Sequence, residues 1–141
     1  MEEMEKKRIL ALDLGHKRIG VAISDPALIA AHPLGFIERT NLEEDLKKIA
    51  KLIEETGARK VVVGLPVRTD GKEGKEAQQA REFAEKIRQL GVEVILWDER
   101  FTSIMAERIL IDQGVRREKR KFKRDAIAAS LLLESYLESL R

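Results

Sequence analysis

Four carboxylates stand where chemistry could be done with them: Asp13, Asp98, Glu99 and Asp125. Asp13 interrupts an otherwise apolar stretch, residues 8–15 (RILALDLG). An unpartnered carboxylate buried there is costly. It must accept N–H bonds from the turn at Gly15–Arg18, pair with Lys17 or Arg18, or hold a divalent cation. Asp98 and Glu99 close a later apolar run. Neighbours on a strand point to opposite faces, so only one of them can readily face Asp13. Parity leaves the choice open: Val92, Val94 and Leu96 share a face with Asp98, while Ile95 and Trp97 share one with Glu99. Alone, this pair reads as a solvated strand end with Arg100 as ionic partner. Asp125 opens the last helical stretch, where an aspartate suits an N-cap and the positive end of the helix dipole. Ala128 and Ala129 keep that helix slim enough to bring Asp125 close to Asp13.

Singly, each acid has a structural explanation. Together, carboxylates from the first strand, the fifth strand and the last helix can converge on one sheet edge as an all-oxygen site suited to Mg²⁺ or Mn²⁺. Two such ions about 3.5–4 Å apart can activate a water and stabilise the leaving oxygen in phosphodiester hydrolysis. No thiol or imidazole is needed. The chain has no Cys and two His, which excludes disulfide scaffolds, thiolate zinc sites and thiol catalysis.

A polyanion would suit such a site. Lys and Arg number 27 against 25 Asp and Glu, a net +2, so the overall balance says little about partners. Its distribution says more. From residue 116 to 124, seven of nine residues are basic (Arg116, Arg117, Lys119, Arg120, Lys121, Lys123, Arg124) and one is Glu118, a local +6. A charge run is usually a solvated face. Placed directly before Asp125, this one can hold nucleic-acid backbone near the acids through salt-sensitive contacts. With Phe122 as its only aromatic, it grips backbone rather than reads bases. Arg100 adds a phosphate contact, and Lys17 or Arg18 can stabilise charge developing on a scissile phosphate. Gly20, Ala22 and Ser24 share a parity beside Asp13, leaving room for a nucleic-acid strand or packing under a helix.

Short connections make the first three strands (residues 8–15, 18–25 and about 32–39) an antiparallel meander, with Pro33 and Gly35 demoting the third to an edge. A helix opens at Asn41 with Glu44 three residues on, the capping-box pattern, and stops at Gly57. Residues 60–64 form a buried strand, and residues 67–74 a polar, glycine-punctuated loop expected to be mobile. A second amphipathic helix carries Ala80, Phe83, Ala84, Ile87 and Leu90. The fifth strand spans 92–97. A helix follows from about Thr102 to Gly114, then the basic segment, then a helix from about Asp125 to Leu140. Helical crossovers set strands four and five parallel to strand one, in an α/β fold with a mixed five-stranded sheet and helices on both faces. The carboxyl ends of strands one, four and five then share the edge where such sheets bind ligands. With no internal repeat or linker, residues 1–141 read as one domain. No apolar run approaches the roughly 18–20 residues of a membrane span. Met1–Lys7 is too charged for a signal peptide, so a cytoplasmic protein is expected.

Residues 13–25 (DLGHKRIGVAISD) resemble the first motif of the YqgF-type pre-16S rRNA nucleases, a family also called Holliday junction resolvases, of ribonuclease H-like fold. Val63–Pro66 resembles its second motif, Asp98–Ser103 (DERFTS) its third, and Lys123–Ala129 (KRDAIAA) its fourth. The resemblance covers essentially the whole chain. It implies a metal-dependent endonuclease acting on structured nucleic acid, pre-16S rRNA or branched DNA, with Asp13, Glu99 and Asp125 as ligands of Mg²⁺ or Mn²⁺. Ribosomal precursor particles are the implied partners, and the chain is expected to be a monomer or weak homodimer. In the wider group the second acid commonly ends the fourth strand; here that strand ends in Gly64-Leu65-Pro66 and Glu99 must substitute. Two other readings stay open. Asp13-x-Gly15 followed by Gly20 also resembles the first phosphate loop of the actin and Hsp70 ATPases, which close two such domains on a nucleotide. A non-catalytic RNA-binding assembly factor would keep the acids without turnover.

Overall fold

The structure, a computed structural model, describes residues 8–100 and 102–141; the side chains of Ser103, Lys121 and Phe122 also lie outside the description, as does Phe101. The described residues form β1 (Ile9–Leu14), β2 (Arg18–Ser24), β3 (Ala31–Glu38), α1 (Leu42–Thr56), β4 (Lys60–Leu65), α2 (Lys75–Arg88), β5 (Glu93–Asp98), α3 (Thr102–Asp112) and α4 (Arg117–Ser139). The sheet order is β3-β2-β1-β4-β5. β1 and β2 pair antiparallel, as do β2 and β3, while β4 runs parallel to β1 and β5 to β4. This is the expected meander and crossover arrangement, with β3 on an edge.

Alternation along the central strands sorts their side chains into two cores. Leu10, Leu12, Val61, Val63 and Val94 pack with Ile49 of α1 and Phe83, Ala84 and Ile87 of α2. Ile9, Ala11, Ala22 and Val62 pack on the other face with Ala129, Leu132, Leu133, Tyr136 and Leu137 of α4. Strands buried on both faces read as near-continuous apolar runs, and β1 and β4 do. Asp13 shares its parity with Ile9 and Ala11, which turns it toward the α4 face.

Helix limits follow local chemistry, with two departures. The Asn41 carboxamide oxygen accepts the Glu44 N–H at 2.9 Å, and Gly57 closes α1 with φ 71°. The other half of the capping box is replaced: Asp45, not Glu44, reaches back, its carboxylate accepting the Thr40 N–H at 3.1 Å, while Glu44 pairs with Lys47. Leu90 lies beyond α2 and is exposed rather than on its buried face. The stretch 67–74 is organised by a bridge between Val67 and Glu73.

The larger correction concerns α4. It starts at Arg117, so the basic segment is the first part of this helix and not a connection before it. Asp125 therefore sits about two turns inside the helix and is not an N-cap. Cations are disfavoured at a helix N-terminus, but Arg, Lys and Glu are strong helix formers. Docking on α3 adds to this: the Arg120 guanidinium donates to the Glu107 carboxylate at 2.8 Å and to the Val115 carbonyl at 3.2 Å.

Candidate active site

Asp13 lies near the carboxyl end of β1, opposite Gly20 of β2. Glu99 follows the last residue of β5 and its N–H donates to the Leu65 carbonyl at 3.2 Å, which continues the parallel pairing one residue beyond the strand. This carries the alternation of Ile95 and Trp97 onward and turns Glu99 to the α4 face. There its side chain is in hydrogen-bond contact with that of Asp13. A methyl group on Gly64 would overlap the Glu99 Oε2 atom, so the glycine that breaks the valine run of β4 is what admits this carboxylate. Asp98 points away. It accepts from the Arg100 backbone at 2.9 Å and from its guanidinium at 2.8 Å on an exposed rim. Geometry thus makes the choice that parity left open, and it chooses Glu99.

Asp125 arrives from α4. A Cβ on Gly20 would overlap the Asp125 carbonyl oxygen, so the helix backbone rests directly on β2 at this point. Ala22 packs against the same helix, and the buried Ser24 hydroxyl accepts the Ile9 N–H at 2.8 Å. The small residues of β2 therefore seat α4 and leave no channel for a nucleic-acid strand. Asp125 Oδ2 accepts from Arg18 Nε at 2.7 Å, in a largely buried pair. The Gly15 N–H donates to the Arg18 carbonyl rather than to Asp13, Arg18 Nε serves Asp125, and Asp13 meets another acid.

Two carboxyl groups in contact under a helix cannot both carry full charge. Burial pushes Glu99 up to about 10, helped by its bond to Asp13 and by the negative charges of Asp13, Asp98 and Glu76. Burial also raises Asp13; the Glu99 hydrogen bond opposes this, Asp125 adds to it and Arg124 opposes it. The pair accordingly holds a proton at neutral pH, on Glu99. Asp98 behaves oppositely: despite some burial, the Arg100 bonds hold it below the usual carboxylate range. Glu99 Oε2 is buried and has no hydrogen-bond partner among the described residues, a defect that native interiors seldom keep without a reason. A cleft of about 800 Å³ opens beside this edge, walled in part by Gly15, His16, Pro66, Glu76 and Glu99.

All three predicted acids are thus brought to one place, two in contact and the third close enough to shift Asp13. Among the described residues, no three acids or histidines stand close enough to enclose a cation as arranged; Asp125 is turned to Arg18. The donor set nevertheless fits a hard divalent ion. It offers carboxyl oxygens alone, one of them an orphaned acceptor.

The predicted nucleic-acid contacts divide. Lys17, Arg100, Arg116, Arg117, Lys119 and Lys123 are exposed and Arg124 is half-buried near Asp13. Arg120 is occupied as a strut to α3, Arg18 is paired with Asp125, and the Lys121 side chain lies outside the described residues. The sequence places Gly64 at the end of the fourth strand and in the Val63–Pro66 motif without disclosing what it admits; an isolated glycine after a valine run is the available signal. Sequence reasoning missed Glu76, whose charge bears on Glu99.

Comparison with known proteins bears on the fold and the family. In solved structures the fold recurs in Thermus thermophilus RuvC bound to a Holliday junction substrate, with TM-score 0.58 and 13% identity over 95% of this chain and 96% of that one. It also recurs in the fowlpox virus resolvase bound to Holliday junction DNA, with TM-score 0.56 and 18% identity over 94% and 98%. The fold is ribonuclease H-like. Closer relatives carry the name "Putative pre-16S rRNA nuclease". One from Desulforudis audaxviator is 41% identical over 133 residues, 94% of each chain. Another, from Caldanaerobacter subterraneus subsp. tengcongensis, is 42% identical over 134 residues, 94% of this chain and 96% of that one. The RuvX family model, described as Holliday junction resolvase, matches residues 7–139, and the chain belongs to the RuvX nuclease family.

Proposed function

We propose that this protein is a one-domain, metal-dependent endonuclease that hydrolyses phosphodiester bonds in structured nucleic acid and trims the 5′ end of pre-16S rRNA. One observation carries the reading: Asp13 and Glu99 meet as a largely buried carboxyl pair beside Asp125, and one Glu99 oxygen has no hydrogen-bond partner among the described residues. Asp13, Glu99 and Asp125 would hold Mg²⁺ or Mn²⁺. The bound ions would supply an activated water and charge neutralisation at the scissile phosphate. The chain's own residues do the rest. Glu99 gives up its proton as the site loads. Arg18 exchanges Asp125 for a phosphate oxygen, and Lys17 reaches the same phosphate from the exposed turn. The exposed cations of α4 hold the flanking backbone.

No helix among the described residues is long and apolar enough to cross a membrane, consistent with action on nucleic acid in the cytoplasm. The test is cleavage of a pre-16S 5′ leader RNA and of a four-way DNA junction in Mn²⁺ or Mg²⁺, by wild type and Asp13→Asn. The expected result is metal-dependent cutting of the RNA that Asp13→Asn abolishes. Preferential cutting of the junction would move the substrate to branched DNA. Salt-dependent RNA binding with no cleavage of either substrate would leave an assembly factor without turnover.

A further inference from the structure

Among the described residues Asp45 is the most thoroughly buried charge, 1% exposed in the first turn of α1. Helix capping accounts for only one of its oxygens, the one that reaches back to Thr40, since Asn41 supplies the other half of the α1 cap. A buried carboxylate requires hydrogen bonds and a counter-ion, and Asp45 has both. One oxygen accepts the Thr40 N–H, and the other faces Arg39 Nε at 3.7 Å. Arg39 is thereby aimed at the β1–β2 turn. Its Nη1 donates to the Gly15 carbonyl at 2.8 Å, its backbone N–H donates to the Lys17 carbonyl at 2.8 Å, and its guanidinium lies 5.5 Å from the Phe83 ring centroid. Within the turn, Gly15 N–H donates to the Arg18 carbonyl at 2.9 Å. A side chain at Gly15 would place its Cβ 2.7 Å from that same oxygen.

We propose that Asp45 and Arg39 form a positioning clamp that fixes the turn between Asp13 and Arg18, so that Lys17 and Arg18 meet the phosphate in register with the acids. The clamp deepens the nuclease reading and rests on it. Arg39 touches no reacting atom. It acts through the turn, and the planar guanidinium suits this because it reaches Asp45 and Gly15 together, which a lysine ammonium does less well.

The full-length chain is compared with Arg39→Ala, Arg39→Lys and Asp45→Asn. In the leader-RNA assay, Arg39→Ala should lower kcat at least tenfold with RNA affinity within twofold of wild type, and Arg39→Lys should recover part of the loss. Asp45→Asn keeps the shape of α1 and removes only the ionic hold on Arg39; it should lower kcat in the same sense and serves where Arg39→Ala does not fold. Unchanged kcat per folded molecule, with only the unfolding midpoint lowered, would overturn the clamp. Amide hydrogen exchange judges it without catalysis. Exchange at Gly15 should rise at least tenfold in Arg39→Ala while β4 amides hold, and equal exchange at Gly15 would refute it. If the wild-type chain cuts nothing, the nuclease reading fails, and the exchange result still decides whether Arg39 fixes the turn.

Discussion

At the scale of single residues, the protonated Asp13–Glu99 pair has consequences in the metal-free protein. The ordinary glutamate value is 4.5 and Glu99 is pushed to about 10. Between those values the folded state keeps a proton that the unfolded chain has released. Stability is therefore full below the lower value and falls as pH rises through the window, by up to ~1.4 kcal/mol per unit for one proton. Unfolding in EDTA followed from pH 5 to 9 should show this decline, and Glu99→Gln, which cannot ionise, should flatten it. A wild-type midpoint independent of pH would mean that the pair is ionised as it stands. On the proposed metal-binding reading, the proton must leave as the ion enters, so Mn²⁺ affinity measured by calorimetry should rise with pH and each binding event should release protons.

At the scale of elements, the site depends on how closely α4 can lie on β2. Gly20 supplies that closeness, since any Cβ would overlap the Asp125 carbonyl. Gly20→Ala should push the helix outward and cost about 1–3 kcal/mol in denaturant unfolding; no change would mean that α4 rides freely above the sheet. The same elements show what the sequence could disclose. β1, β2 and β4 were legible because burial on both faces leaves an apolar run, and α1 because Asn41 and Gly57 act within a few residues of themselves. The start of α4 was not. Its cationic first turns conflict with the helix dipole, and what offsets them is Arg120 bonding to Glu107 across a tertiary contact. The choice between Asp98 and Glu99 was hidden for a similar reason. It was decided by pairing of the Glu99 N–H with Leu65 and by the space above Gly64, neither of which a single strand's alternation encodes.

At the scale of the whole molecule, a nearly neutral chain carries a concentrated run of positive charge at the start of α4, on the helix that brings Asp125 to the acid cluster. Such an arrangement lets nucleic acid be held by its backbone while the acids are kept for chemistry. The cations of that end are not equivalent. Arg117 and Lys119 are exposed, whereas Arg120 braces α4 against α3. Arg117→Ala combined with Lys119→Ala should weaken RNA binding to a similar extent on unrelated sequences. It should also reduce the slope of log affinity against log salt by about 1–2, read by fluorescence anisotropy from about 50 to 200 mM salt. Arg120→Ala should do the reverse: the slope should hold while stability drops by up to about 1 kcal/mol, the range of a partly exposed ion pair. If Arg120→Ala instead lowers the slope with stability intact, the brace yields to phosphate when nucleic acid binds, and Arg120 joins the gripping surface.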